Sequence, residues 1–166
     1  MEPLFATAPM KELDAGDTRA VVAIQRLQAG YADAVTRRDW PAVRALFEPD
    51  AVVHIDTRTR DPFSLDGPDA LVEFIDQAIA RFTFFEFTIL NATVDVEGAD
   101  ARGRMYICEL RADDDGAWSE AYGLYRDRYR RRAGDWRIVG RHYTSLARRS
   151  PAGTETFALP TDRGGD

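Results

Sequence analysis

Between Ala121 and Leu146 the chain reads AYGLYRDRYRRRAGDWRIVGRHYTSL, a stretch in which tyrosines, arginines and one of only two histidines alternate residue by residue. Taken with a period of two, Gly123, Tyr125, Asp127 and Tyr129 share one strand face, and Leu124, Arg126, Arg128 and Arg130 share the other. On the following strand Trp136, Ile138, Gly140 and His142 lie opposite Arg137, Val139, Arg141 and Tyr143. The apolar Trp136 and Ile138 select the buried side. That phase predicts His142 inward beside Tyr125 and the arginines outward, which makes the stretch a pocket wall rather than a nucleic-acid surface. An imidazole there takes a proton near neutral pH. Tyr31 and Tyr125 are phenols that can donate to a substrate oxygen, Asp127 can orient a polar neighbour, and Trp136 extends the apolar wall. Glu109 shares a strand face with Met105, Ile107 and Arg111 and is a second candidate base. Each has a plainer alternative: a satisfied core histidine, packed tyrosines, a buried acid paired with an arginine, an ion pair at a rim.

The elements that must position these groups follow from periodicity. Val21, Ile24, Leu27, Tyr31 and Val35 recur at helical spacing behind Thr18, the expected N-cap. Asp39 and Pro41 open a short second helix with Trp40, Val43, Leu46 and Phe47 on its stripe. AVVHIDT is a strand, TRTRDPFSLDG a loop, and Gly67-Pro68-Asp69 begins a third helix carrying Leu71, Phe74, Ile75 and Ile79. The period then becomes two: an interrupted strand from Phe82 to Gly98, another from Ala101 to Ala112, and a hairpin joined through Arg132-Ala133-Gly134. Helices followed by antiparallel strands predict an α+β domain over residues 18–149. An N-terminal arm over 1–17 and a mobile C-terminal tail over 150–166 complete the expected organisation.

Composition narrows the function. The 166 residues are 45% hydrophobic and 30% charged, which suits one globular domain with a full core. The formal net charge of -6 disfavours a polyanionic partner. No apolar run is long enough to span a membrane, and the N-terminus lacks the pattern of a secretory signal. One cysteine, Cys108, excludes an internal disulfide, and a cytoplasmic protein is expected. His54 and Asp56 fall outside if Val53 and Ile55 face inward, so no metal site is expected.

The phrases YADAVTRRDWPAVRALFEPDAVV, SLDGPDALVEFI, LNATVDVEGADARGRMY and YGLYRDRYRRRAGDWRIVGRHY resemble the SnoaL-like (polyketide cyclase/dehydratase-like) family of the nuclear transport factor 2-like superfamily. The resemblance covers nearly the whole chain. It implies a cone: a curved antiparallel sheet wrapped on three N-terminal helices around an apolar cavity. It also implies Tyr31 as the phenol that meets a substrate oxygen in ketosteroid isomerase, and Phe87 and Asn91 as pocket positions. The acid that usually follows that tyrosine by five residues is here Thr36, and the histidine that usually precedes the asparagine by four is Phe87. The Asp–His pair of the dehydratase-like branch is therefore missing. Two functions follow as expectations. One is a cofactor-free isomerase, cyclase or dehydratase that moves a proton on an apolar carbonyl compound, with His142 or Glu109 as base. The other is a non-catalytic ligand-binding or dimeric scaffold domain. A homodimer through the outer sheet face is expected with either.

Overall fold

A computed structural model describes residues 12–160. Its elements are α1 (Ala15–Thr36), α2 (Trp40–Ala45), β1 (Phe47–Asp56), β2 (Phe63–Asp66), α3 (Gly67–Ile79), β3 (Phe84–Glu97), β4 (Asp100–Ala112), β5 (Trp118–Arg132), β6 (Asp135–Ser150) and β7 (Gly153–Thr156). Helix α1 starts ahead of the expected cap. Asp14 is the N-cap, accepting from the Asp17 N–H at 2.7 Å, while the Thr18 hydroxyl donates to the Asp14 carbonyl. A carboxylate suits that end better, because it also meets the positive pole of the helix dipole. Residues 1–11 of the expected arm lie outside the described residues. Ile24, Leu27, Tyr31, Ala34 and Val35 are the buried stripe of α1, which packs on β3. Asp39 caps α2 as expected, accepting from the Ala42 N–H at 3.1 Å. The Arg38 guanidinium donates to the Ile79 and Phe82 carbonyls and so ties the end of α1 to the end of α3.

The strands form one curved, unclosed sheet in the order β2-β1-β6-β5-β4-β3, with β7 also paired to β6. It is mixed rather than wholly antiparallel, since β1 runs parallel to β6 while the other pairs are antiparallel. The chain between β1 and β6 includes a helix and three long strands, and so can return in either direction. The segment expected to be a loop before α3 contributes β2, and Gly153–Thr156 of the expected tail pairs as β7. Residues 161–166 of that tail lie outside the described residues. The β5–β6 hairpin turns at Ala133 (φ 50°) and Gly134 (φ 94°), the two positive φ values that a two-residue turn of matching twist requires. The core lies between the helices and the concave face, where Ile24, Tyr31, Phe47, Met105, Ile107 and Ile138 are almost wholly buried. Among the described residues no helix is long and apolar enough to cross a membrane.

Three bulges set which side chains reach the concave face. On β6, Ile138 pairs with Tyr129 and Gly140 with Arg128, which leaves Val139 unmatched. Further along, Ala147 pairs with Tyr122 and Ser145 with Gly123, which leaves Leu146 unmatched. On β3, Ile89 faces Ile107 and Asn91 faces Tyr106, which leaves Leu90 over. Each extra residue inverts the alternation beyond it.

Candidate functional site

The bulge at Val139 decides the site. Before it, Trp136 and Ile138 point inward, as the alternation predicts, and both are buried. After it, Arg141 and Tyr143 point inward and His142 points out. His142 is therefore on the convex face, opposite Arg126 on β5 and His54 on β1. Its ring lies 5.8 Å from that of His54, and its Nδ1 is 3.4 Å from Arg126 Nη2. This corrects the expectation that His142 lines the pocket. Asn91 is corrected for the same reason: the bulge at Leu90 turns it to the convex face, where it is exposed. His54 lies outside, as expected, and its Nδ1 is 2.7 Å from the Ser64 hydroxyl.

The cone encloses a cavity of about 640 Å³. One side is apolar, formed by Val53 and Ile55 of β1 and by Leu71, Phe74, Ile75 and Ile79 of α3. The polar side comes from the centre of the sheet and from α1: Tyr31, Glu109, Arg111, Tyr125, Arg141 and Tyr143. Of the expected site residues, Tyr31, Glu109 and Tyr125 thus share the cavity. Phe87, Asp127 and Trp136 are buried outside its lining. Phe87 stacks on Tyr125 at 5.8 Å and meets the Tyr31 ring edge-on at 5.5 Å. Trp136 lies near the hairpin end, in a second hollow against Val22 and Arg26 of α1. Thr36 and Phe87, which stand where the dehydratase-like branch has its acid and histidine, are adjacent. The Phe87 N–H donates to Thr36 Oγ1 at 3.0 Å, a contact with no acid–base capacity at neutral pH.

Beneath the cavity lies a buried polar chain. Arg141 Nε and Nη2 donate to the two oxygens of Asp127 at 2.8 and 2.7 Å. The Tyr129 hydroxyl donates to Asp127 Oδ2 at 2.9 Å and accepts from Gln28 Nε2 at 2.9 Å. The guanidinium carbon lies 4.2 Å from the Tyr31 ring centre and 4.1 Å from that of Tyr125, so the cation rests against two aromatic rings. Burial alone would depress the Arg141 pKa, but the charge and hydrogen bonds of Asp127, together with Tyr31 and Tyr125, outweigh it and the pKa is raised. Its Nη1 is buried without an acceptor. Arg141 was missed because strict alternation sent it outward. Two signals pointed to it: a glycine inside a strand often marks a bulge, and an inward Asp127 needs a buried cation opposite.

The phenols of the cavity remain protonated at neutral pH. Burial raises the Tyr31 pKa, with Arg141 opposing; burial and then the neighbouring Tyr31 raise Tyr125 well above its ordinary value. Burial and the Glu109 charge push Tyr143 up to about 12. These phenols can donate to an oxygen that gains negative charge. Glu109, 16% exposed, is the carboxylate on the same wall and is ion-paired with Arg111, whose Nε lies 3.1 Å from its Oε2. The arrangement can take a proton from a carbon acid and hold the resulting oxyanion. Among the described residues no three His, Cys, Asp or Glu side chains come together in a group that could hold a metal ion.

A family model described as a SnoaL-like domain matches residues 17–142. No curated protein matches the chain. Among solved structures, one from Novosphingobium aromaticivorans, provisionally named an aromatic ring hydroxylase, is 26% identical with a TM-score of 0.68. The match covers 81% of this chain and 92% of that one. A hexachlorocyclohexane dehydrochlorinase, LinA-type3, from Novosphingobium barchaimii is 19% identical with a TM-score of 0.68, covering 86% and 95%. A provisionally named scytalone dehydratase from Novosphingobium aromaticivorans is 19% identical with a TM-score of 0.67, covering 87% and 94%.

Proposed function

The chain belongs to the SnoaL-like domain family, and from that membership and its cavity we propose that it moves a proton on a small, mostly apolar carbonyl compound without a cofactor. The observation that carries this reading is one wall holding a carboxylate, Glu109, together with the protonated phenols of Tyr31 and Tyr125. Glu109 takes a proton from the carbon next to the carbonyl. The C–H electron pair moves onto the carbonyl oxygen, and Tyr31 and Tyr125 donate to that oxygen as its charge grows. Return of the proton to another carbon completes an isomerisation; loss of a leaving group from the neighbouring carbon completes an elimination. Arg111 orients the carboxylate. Dehydratase and dehydrochlorinase names among the structural neighbours agree with this class, although at 19% identity they carry the fold alone.

The test is hydrogen–deuterium exchange at the α-carbon of enolisable cyclic ketones in heavy water, followed by mass spectrometry. The protein should accelerate exchange of at least one such ketone, and Glu109→Gln should slow it about 10²–10⁴-fold. A second reading, a non-catalytic ligand-binding domain, is favoured by the contact between Thr36 and Phe87 where an acid and a histidine would stand. Exchange no faster than in buffer, with a small molecule retained in native mass spectrometry, would select it. We also propose a homodimer through the convex face, where Phe84 and Trp118 stack at 5.5 Å while both remain more than two-fifths exposed.

A further inference from the structure

The cavity is richer in cations than in anions, although the chain is acidic. Five arginines, at 81, 111, 141, 148 and 149, line it against three glutamates, at 109, 120 and 155, while the formal net charge of the chain is -6. Four of the arginines answer to carboxylates. Arg141 pairs with Asp127, Arg111 with Glu109, and Arg81 lies 3.6 Å from Asp113, while the exposed Arg149 faces Glu120 in register. Arg148 differs. It donates to the Thr57 carbonyl at 2.9 Å and to the Thr59 hydroxyl at 3.4 Å, both neutral acceptors, and forms no ion pair among the described residues. Glu155 stands opposite it in register on β7 but is exposed, and the guanidinium engages Thr57 and Thr59 instead.

Position matters as much as charge. Arg148 faces Ala121 across β5–β6; Tyr143 with Tyr125, and then Arg141 with Asp127, follow deeper along the same strands. Tyr143 and Arg148 are five residues apart, one of them taken up by the bulge at Leu146. At about 3.3 Å per residue they lie on the order of 13 Å apart along β6. A ligand can therefore meet phenols at the floor and a half-buried cation at the mouth, with apolar wall between. We infer that the natural ligand is an apolar acid. Its carboxylate, or an equivalent anion, binds Arg148 at the mouth, its body lies against α3 and β1, and its carbonyl reaches Tyr31 and Tyr125. This rests on the pocket reading above and adds the charge of the occupant. A guanidinium held by neutral acceptors keeps its positive field for an incoming anion, and cavity walls of low polarity concentrate that field.

Two fluorescent probes with the same aromatic body test the inference: 1-anilinonaphthalene-8-sulfonate, an anion, and N-phenyl-1-naphthylamine, which is neutral. Arg148→Met should weaken the sulfonate roughly tenfold to a hundredfold and leave the neutral probe within about twofold. Arg148→Lys should retain part of the affinity, and Glu155→Gln should strengthen the sulfonate by removing a competing charge. Should Arg148→Met lose its native circular dichroism, the wild-type protein still decides. Raising salt from about 20 to about 500 mM should weaken the sulfonate and spare the neutral probe. Equal response of the two probes to Arg148→Met, or to salt, overturns the acid ligand and leaves the pocket standing. Failure of both probes to bind overturns the pocket itself.

Discussion

Asp127 and Arg141 have side chains only 1% exposed, so each needs the other in order to remain charged. Asp127→Asn should cost about 3–5 kcal/mol in urea titration, because the guanidinium stays buried between Tyr31 and Tyr125 without its counter-charge. The double variant Asp127→Leu/Arg141→Met should recover much of that loss, since two apolar side chains remove both desolvation penalties. A loss below about 1 kcal/mol for the single variant would show that water reaches the pair. The tyrosines set a pH dependence. Burial raises the pKa of Tyr31, Tyr125 and Tyr129, and burial with Glu109 pushes Tyr143 up to about 12, against 10.0 for an ordinary phenol. The folded state therefore holds protons that the unfolded state releases above the ordinary value. Stability from these groups should be complete below pH 10 and decline as pH rises towards 12. Denaturation midpoints at pH 9 and pH 11 should differ accordingly, and a flat profile would contradict the burial of these rings.

At the scale of elements, the alternation along β5 was legible from the residues alone, because no bulge interrupts the run from Gly123 to Arg128. The same reasoning placed Trp136 and Ile138 correctly and failed two residues later. A one-residue excess at Val139 leaves no hydrophobic signature, since Val139 is acceptable on either face. The apolar stripe of α3 was visible, but its position along one side of the cavity depends on tertiary packing. The same holds for the rim arginines, whose roles follow from where Thr57 and β7 end. Tyr143 offers a clean test of the register. Its ring lies over Gly123, where an added Cβ would collide with it. Gly123→Ala should push the ring into the cavity and weaken binding of the neutral naphthylamine, while every polar group of the site is retained. Unchanged binding would place Tyr143 elsewhere. Deleting Val139 should have a different effect: the bulge closes, Gly140 follows Ile138 in plain alternation, and Arg141 still meets Asp127 while His142 stays outside. Such a protein should keep the Asp127–Arg141 pair and still bind the neutral naphthylamine.

For the whole molecule, the proposed homodimer predicts a solution mass near twice the 18.7 kDa of the chain, and Trp118→Glu should reduce it to the monomer. A wild-type monomer at micromolar concentration in sedimentation would refute the assembly. The sheet order has a separate consequence for how the chain is made. Strand β6 lies between β1 and β5, yet it is the last long strand to leave the ribosome. Until it arrives, β1 has no partner but the short β2, Asp127 has no guanidinium, and the cavity lacks one wall. No N-terminal portion ending before β6 holds a closed core that could form early and wait. The β1–β6 pairing that completes the sheet links the beginning of the chain to its end, the kind of contact that slows folding. Folding should thus be nearly all-or-none and follow emergence of β6, and nascent chains stalled before residue 141 should remain open to protease throughout.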